Sequence, residues 1–349
     1  MGNKKKALVR GIAAASAIGL AAGLAACSGG GGEGDGQVVV ANYGGITLEG
    51  FEAAYFDDFT AETGIEVISA DADVARYVQM SETGESEWDS IDADGFANVD
   101  WINRGLVQEM SDDVPRASLV PDEYKDYIAG AYTQSFVLAY RASALDREPT
   151  SWKDFWDVEG LPGNRGWPGY YIGTAEAALL ADGVAPDELF PLDFDRAFGK
   201  LDEIKGDLTF FESYAAGAQA LQAGTVDMIL LPNGRVTPLM AEDDDVEIMW
   251  DENLFYPFTG FTISQGAPNP EAMNKLMVYM QDPERQARFA EITGYGPTVD
   301  GALELLSPET AAILPGTEEH MRNAVTIDQV ALSSQTDEYV SRYSEWLAG

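Results

Sequence analysis

The side chains in this sequence that are equipped for chemistry are of a type that grips ligands. Tyr43 stands beside Gly44 and Gly45 at the end of the apolar run QVVVAN, where a ligand can approach bare backbone. Asp92 and Asp94 alternate in IDADG, Tyr170 and Tyr171 are adjacent in GWPGYYIGT, and Tyr295 lies between glycines in TGYGP. Glu212 in FFESY and Arg235 in PNGR add one charge of each sign. An aromatic face holds a cation for about 0.5–2 kcal/mol, and a carboxylate offsets the cost of taking an ammonium out of water. A guanidinium offers a fork for a carboxylate or phosphate. Residues of these types can hold a small charged solute, cationic at the acids and anionic or zwitterionic at Arg235, where a fold brings them together. Each residue also has a plainer reading: a turn at Tyr43, a solvated turn at Asp94, salt-bridged surface positions for Glu212 and Arg235. In a strand, only one of Tyr170 and Tyr171 would face the ligand.

Bond-making machinery is harder to find. His320 is the only histidine and stands alone in the tail. No G-x-S-x-G elbow or P-loop is present, and the glycine rhythm of GEGDG precedes the first strand instead of following it. The 59 acids leave a glycosidase-like carboxylate pair open by count alone. The Asp92–Asp94 spacing lacks the further oxygens of an EF-hand loop, so neither metal nor cofactor is expected. Binding is the reading taken here, ahead of an enzyme or a surface adhesin.

The one thiol, Cys27, has a different context. MGNKKKALVR carries four basic residues, sixteen uncharged residues follow, and LAAC closes the run before a Gly/Ser-rich stretch. This is the plan of a secretory signal, too short to span a bilayer, which takes about 20 apolar residues. LAAC resembles the bacterial lipobox. The resemblance implies cleavage of a signal peptide 1–26 and lipidation of Cys27 at about 0.8 kcal/mol per buried methylene. Residues 27–36 would then be a flexible leash. The exported domain would hold no disulfide.

The mature chain, 27–349, is long enough for two lobes with separate cores. The whole chain has a net charge of −38, and the four basic residues of the leader leave the remainder at −42. Such a charge excludes phosphate backbones as natural partners, so no nucleic acid is expected. It favours solubility, salt tolerance or cation capture.

The elements that must position these residues follow from periodicity. QVVVAN is a strand, and ITLEGFEAAYFDDFTAETG is an amphipathic helix with Phe51, Tyr55 and Phe59 four apart and a glycine stop. Strand and helix go on alternating through residue 105, which predicts an α/β fold with a mostly parallel sheet. Ligands in such sheets bind at the carboxyl ends of strands, here the loops NYGG and DADGF. Residues 133–145 read as β, and the tail 303–349 as mainly helical.

The phrases FTAETGIEV, SWKDFWD, AGTVDMILLPNG and NPEAMNKLMVYMQDPERQARFAEITGYGPTVDGALELLSPE, taken in order, resemble the substrate-binding proteins of ABC importers, nearest to the spermidine/putrescine-binding family. The resemblance spans nearly the whole mature chain. It implies an α/β, two-lobed periplasmic-binding-protein type II (Venus flytrap) fold with mixed sheets and interlobe crossovers. Lobe 1 would hold 37–137 plus 257–302, and lobe 2 would hold 138–256 plus 303–349. It implies a monomer, lipid-anchored at Cys27 on the outer face of the cytoplasmic membrane of a Gram-positive cell. There it would work with ABC permease and ATPase subunits in polyamine transport.

Carried over by position, the family's cleft falls on Asn42, Tyr43 and Gly44, on Asp94 and Phe96, on Tyr170 and Tyr171, on Tyr256 through Thr259, and on Tyr295. The sequence departs from the family where its ammonium-binding carboxylates belong, reading GWPGYYIGT, PFT and Pro232 instead. Asp94 and Glu212 are the replacement acids for a polyamine or related amine. Arg235 points to an anionic or zwitterionic solute instead.

Overall fold

The computed structural model describes residues 36–349. The leader, Cys27 and the leash up to residue 35 lie outside the described residues.

The strand β1 (Gln37–Asn42) carries the run VVV, which favours a pleated, half-buried surface. It is the centre of a parallel sheet with β2 (Glu66–Asp71) on one side and β3 (Ser90–Ile91) on the other. The connection from β1 to β2 is the expected helix, Gly45–Thr63, interrupted by one π turn at Glu52–Phe56 and stopped by Gly64 in the left-handed conformation. Its stripe of Phe51, Tyr55 and Phe59 enters a core with Val38, Val40, Phe261 and Phe289.

After β3 the chain leaves this sheet. The short β4 (Ala93–Asp94) pairs antiparallel with β10, and β5 (Val107–Gln108) pairs with β11. The second sheet contains β6 (Ala129–Arg141), β7 (Arg165–Pro168), β8 (Leu208–Phe211), β9 (Met228–Pro232) and β10 (Val246–Phe261). A last strand, β12 (Val325–Thr326), joins its edge to give the order β12-β10-β6-β9-β7-β8, and β11 (Ile263–Ser264) follows β10 closely. Parallel and antiparallel pairs are mixed. This sheet buries Trp152, Trp167, Leu138, Leu230 and Tyr256 on one face, and Val137, Ile229 and Leu231 on the other. Each aromatic ring removes roughly 150–250 Å² from water.

β6 and β10 are the long members, and both run from one core into the other. β6 gives Ala129, Ala131 and Tyr132 to the first core and Phe136, Leu138 and Tyr140 to the second. β10 does the same with Phe261 at one end and Leu254 and Tyr256 at the other. The stretch between, Thr133–Ser135 opposite Tyr256–Thr259, is where the cores part, and the β10 register slips there. A sequence without glycine or proline breaks in residues 131–141 makes β6 continuous. The two halves are therefore joined by stiff strands with a local irregularity, the layout of a two-lobed binding fold. The tail is mainly helical as expected. Its last helix, Thr336–Ala348, buries Tyr339, Tyr343 and Trp346 in the second core.

Candidate ligand-binding cleft

At the end of β1 the chain must turn sharply. Gly44 and Gly45 have φ of 68° and 61°, a region that side chains with a Cβ resist. Asn42 is buried, and its side-chain oxygen accepts from the Gly44 N–H at 3.0 Å, a local turn that this residue type favours. The turn throws Tyr43 outward, 58 % exposed.

β3 and β4 bring in two acids on the same alternation. Asp92 is buried, with the Tyr132 hydroxyl 3.3 Å from each carboxylate oxygen. Asp94 is partly open and accepts from the Gln134 side chain at 2.6 Å. Tyr132, Gln134 and Phe136 lie two apart on β6, so all three face the same way. Thr259 of β10 pairs with Asp94, and its buried hydroxyl has no partner among the described residues. Burial, then the charge of Asp94, pushes Asp92 up to about 8, with the Tyr132 bond opposing. Burial pushes Asp94 up to about 6, with the Gln134 bond opposing. Among the described residues, neither acid forms an ion pair with Lys or Arg, and no cation appears among the causes of either shift.

The opposite charge arrives from the second sheet. β9 ends in the turn Asn233–Arg235. Buried Asn233 accepts from the Ser135 N–H at 2.9 Å and donates to the Gly294 carbonyl at 2.6 Å. Gly234 lies flat on the Tyr295 ring, where a Cβ would come within 2.4 Å. Tyr295 in turn stacks on Tyr132 at 4.7 Å between centroids. This clamp delivers the Arg235 guanidinium to the Gly44–Gly45 turn, 3.0 Å from where a Cβ on Gly45 would sit. Arg235 makes no ion pair among the described residues. Its charge reaches Tyr295, where burial raises the phenol to about 12 against the pull of that guanidinium.

Rings complete the walls. Tyr170 packs on Tyr214 at 5.1 Å, Tyr214 on Phe136 at 5.8 Å, and Phe136 on Tyr256 at 5.3 Å. The Tyr214 hydroxyl is buried without a partner among the described residues. Asp94 raises the phenol pKa of Tyr43, Tyr171 and Tyr214, second only to burial, and that of Tyr256 after burial, Glu176 and Tyr339, which places it at the focus of the rings. Behind them Glu176 is fully buried, accepting from Tyr256 at 3.3 Å and Tyr339 at 2.7 Å, and burial pushes it up to about 7.

Asn42, Tyr43, Gly44, Asp94, Tyr170, Tyr171, Arg235, Thr259 and Tyr295 therefore come together. Phe96 and Tyr256 are buried at 2 % and 0 % exposure, a layer behind the wall, with the Phe96 ring on Tyr171 and Tyr256. Glu212 is exposed just past β8, beside the Gly169 backbone on the rim. The expectation that one of Tyr170 and Tyr171 must turn away is corrected: β7 stops at Pro168, and both tyrosines sit in the loop that follows. Tyr132, Gln134, Tyr214 and Glu176 were missed, and Asp92 was noted only as the neighbour of Asp94 in IDADG. Of the missed four, Tyr132 and Gln134 carried a signal, the period-two pattern of YTQSF against a strand already expected.

Residues 54–315 match the family of bacterial extracellular solute-binding proteins, and the chain belongs to that family. It is 30% identical over 323 residues to the gamma-aminobutyric acid-binding protein of Pseudomonas aeruginosa, covering 89% of this chain and 91% of that one. It is 22% identical over 308 residues to the spermidine/putrescine-binding periplasmic protein of Escherichia coli K12, covering 82% and 86%. Among solved structures it superposes on the GABA receptor Atu4243 with a TM-score of 0.82 at 30% identity, covering 89% and 97%.

Proposed function

We propose that this bacterial extracellular solute-binding protein captures a small ω-amino acid of the γ-aminobutyrate kind and delivers it to the permease of an ABC importer. The observation that carries the reading is a pair of opposite, unpaired charges in one ring-lined cleft: Arg235 over the Gly44–Gly45 turn, and Asp94 with Asp92 below the tyrosines. A solute with a carboxylate at one end and an ammonium at the other satisfies both. A diamine satisfies only the acids and brings its second ammonium toward a guanidinium, a like-charge contact that disfavours it. The amino-acid names of the 30%-identical relatives support the same choice. It takes the place of the polyamine that the family resemblance first suggested.

In this reading the lobes, 37–137 with 257–302 and 138–256 with 303–349, close over the solute because it touches both walls. The shift is limited to the ligand's preference for the closed form. The exported protein works as a monomer, tethered at Cys27 near its permease and ATPase.

A thermal-shift panel tests the reading. γ-Aminobutyrate, β-alanine or 5-aminovalerate at a hundred times its Kd is expected to stabilise the fold by about 2.7 kcal/mol without being consumed. Stabilisation by putrescine or spermidine, with none from any amino acid, would overturn it.

A further inference from the structure

We propose that Tyr339 and Tyr343 of the last helix are positioning residues for solute capture, holding by its two ends the loop that carries Tyr170 and Tyr171. The role rests on the cleft being the solute site. The loop is short, residues 169–173, between the end of β7 and the helix Thr174–Ala181. A loose loop in a cleft must be ordered when the solute arrives, and order set in advance removes that cost. The loop supplies little of this order itself. It has glycine at each end, and Gly173, with φ of 79°, gives the helix no capping side chain.

The cap comes instead from 164 positions away. The buried Tyr339 hydroxyl accepts from the Ala175 N–H at 2.6 Å, donates to the Glu176 carboxylate at 2.7 Å and lies 3.1 Å from the Thr174 hydroxyl. Its partners are three consecutive residues, those that follow the loop. Thr174 passes the hold on, its hydroxyl donating to the Tyr171 carbonyl at 2.6 Å. The Tyr339 ring packs on Phe194 at 5.1 Å and meets Tyr171 edge-on at 4.9 Å.

Four residues on, Tyr343 lies on the same helix face. Its hydroxyl donates to the carbonyl of Pro168, the last residue of β7. The tail helix therefore brackets the loop. Between the brackets, Tyr171 is brought to Asp94 and Tyr43: burial first, then those two groups, raise its phenol. Tyr170 is left exposed, against Tyr214.

The test reads the loop and the solute separately. In the full chain labelled with 3-fluorotyrosine, the fluorine resonance of Tyr170, assigned by Tyr170→Phe, reports the loop without any ligand. Tyr170 packs on Tyr214, so its signal moves only if the loop does. Tyr339→Phe and Tyr343→Phe each keep the ring and remove one hydroxyl. Each is expected to shift or broaden the Tyr170 resonance in the empty protein. Each is also expected to weaken γ-aminobutyrate, read by calorimetry, about three- to tenfold, the net loss of one hydrogen bond. Arg342→Gln breaks the ion pair of the same helix with Asp195 and is expected to leave both readouts unchanged. A Tyr170 resonance unmoved by Tyr339→Phe and Tyr343→Phe, an affinity unmoved by both, or equal effects from Arg342→Gln would each overturn the role. If wild type does not bind γ-aminobutyrate while the Tyr170 resonance still moves in Tyr339→Phe, the solute reading falls and the hold on the loop stands.

Discussion

Affinity for an amine-bearing solute should fall as pH falls from 8 to 6, because the acids that receive the ammonium are protonated in the empty cleft. Burial and the neighbouring Asp94 charge push Asp92 up to about 8, and burial pushes Asp94 up to about 6. An ammonium set against them favours the charged forms, so the bound carboxyls titrate lower and binding below pH 8 expels a proton. At pH 6 the medium lies about two pH units below the Asp92 value. Ionising that carboxyl then costs about 2.7 kcal/mol, at 1.36 per unit, which weakens Kd about a hundredfold. The assay is titration calorimetry with γ-aminobutyrate at pH 6, 7 and 8 in buffers of different ionisation enthalpy. About one proton per ligand should appear at pH 7, where Asp92 is mostly protonated and Asp94 mostly ionised. Asp92→Asn keeps an oxygen for the Tyr132 hydroxyl but removes the titration. Its affinity should change only about twofold over the same range, the part left to Asp94. An affinity in the wild type that is flat from pH 6 to 8, with heats independent of buffer, would refute the placement of the ammonium on these acids.

Arg235→Ala should cost γ-aminobutyrate about 2–5 kcal/mol, because the solute carboxylate enclosed by the cleft loses its charge partner, while binding of butylamine is unchanged or tighter, as read by calorimetry; equal losses for both would place the carboxylate elsewhere. Glu176 is pushed up to about 7 from the ordinary 4.5, so its contribution is full below 4.5 and lost as pH rises through 7. Wild type should therefore be less stable at pH 8 than at pH 5, by up to about 3 kcal/mol from this group, and Glu176→Gln should shrink the difference by about that amount in a denaturant series, leaving the part that Asp92 and Asp94 contribute. Cys27→Ala should move the protein from the membrane fraction to the medium in the expressing bacterium, since the lipid chains carry the anchoring energy; unchanged fractionation would leave the lipobox reading without support.

What could be read in advance was whatever backbone and hydrophobic pattern dictate. Three consecutive valines in QVVVAN, Phe51–Tyr55–Phe59 at helical spacing and Gly64 as a stop specify β1 and the first helix, and the residue after β1 then falls at a strand end where ligands bind. Gly44 and Gly45 marked their own turn because only glycine occupies that φ cheaply. The identity of the solute was less legible, because charge in a sequence does not reveal its neighbours. Among 59 acids, Asp92 was marked only by its spacing from Asp94, whose plain reading was a solvated turn. It is a buried, cation-free carboxyl only because β4 leaves the first sheet to pair with β10, and that pairing joins residues about 165 positions apart. Arg235 became decisive in the same way. Asn233 and Gly234 press its turn onto Gly294 and Tyr295, contacts as remote in sequence as they are close in space. Arg141, by contrast, pairs with Asp243 and Asp245. Arg235, over the Gly44–Gly45 turn, makes no ion pair among the described residues. In the proposed function, the carboxylate of the solute is the partner that Arg235 takes.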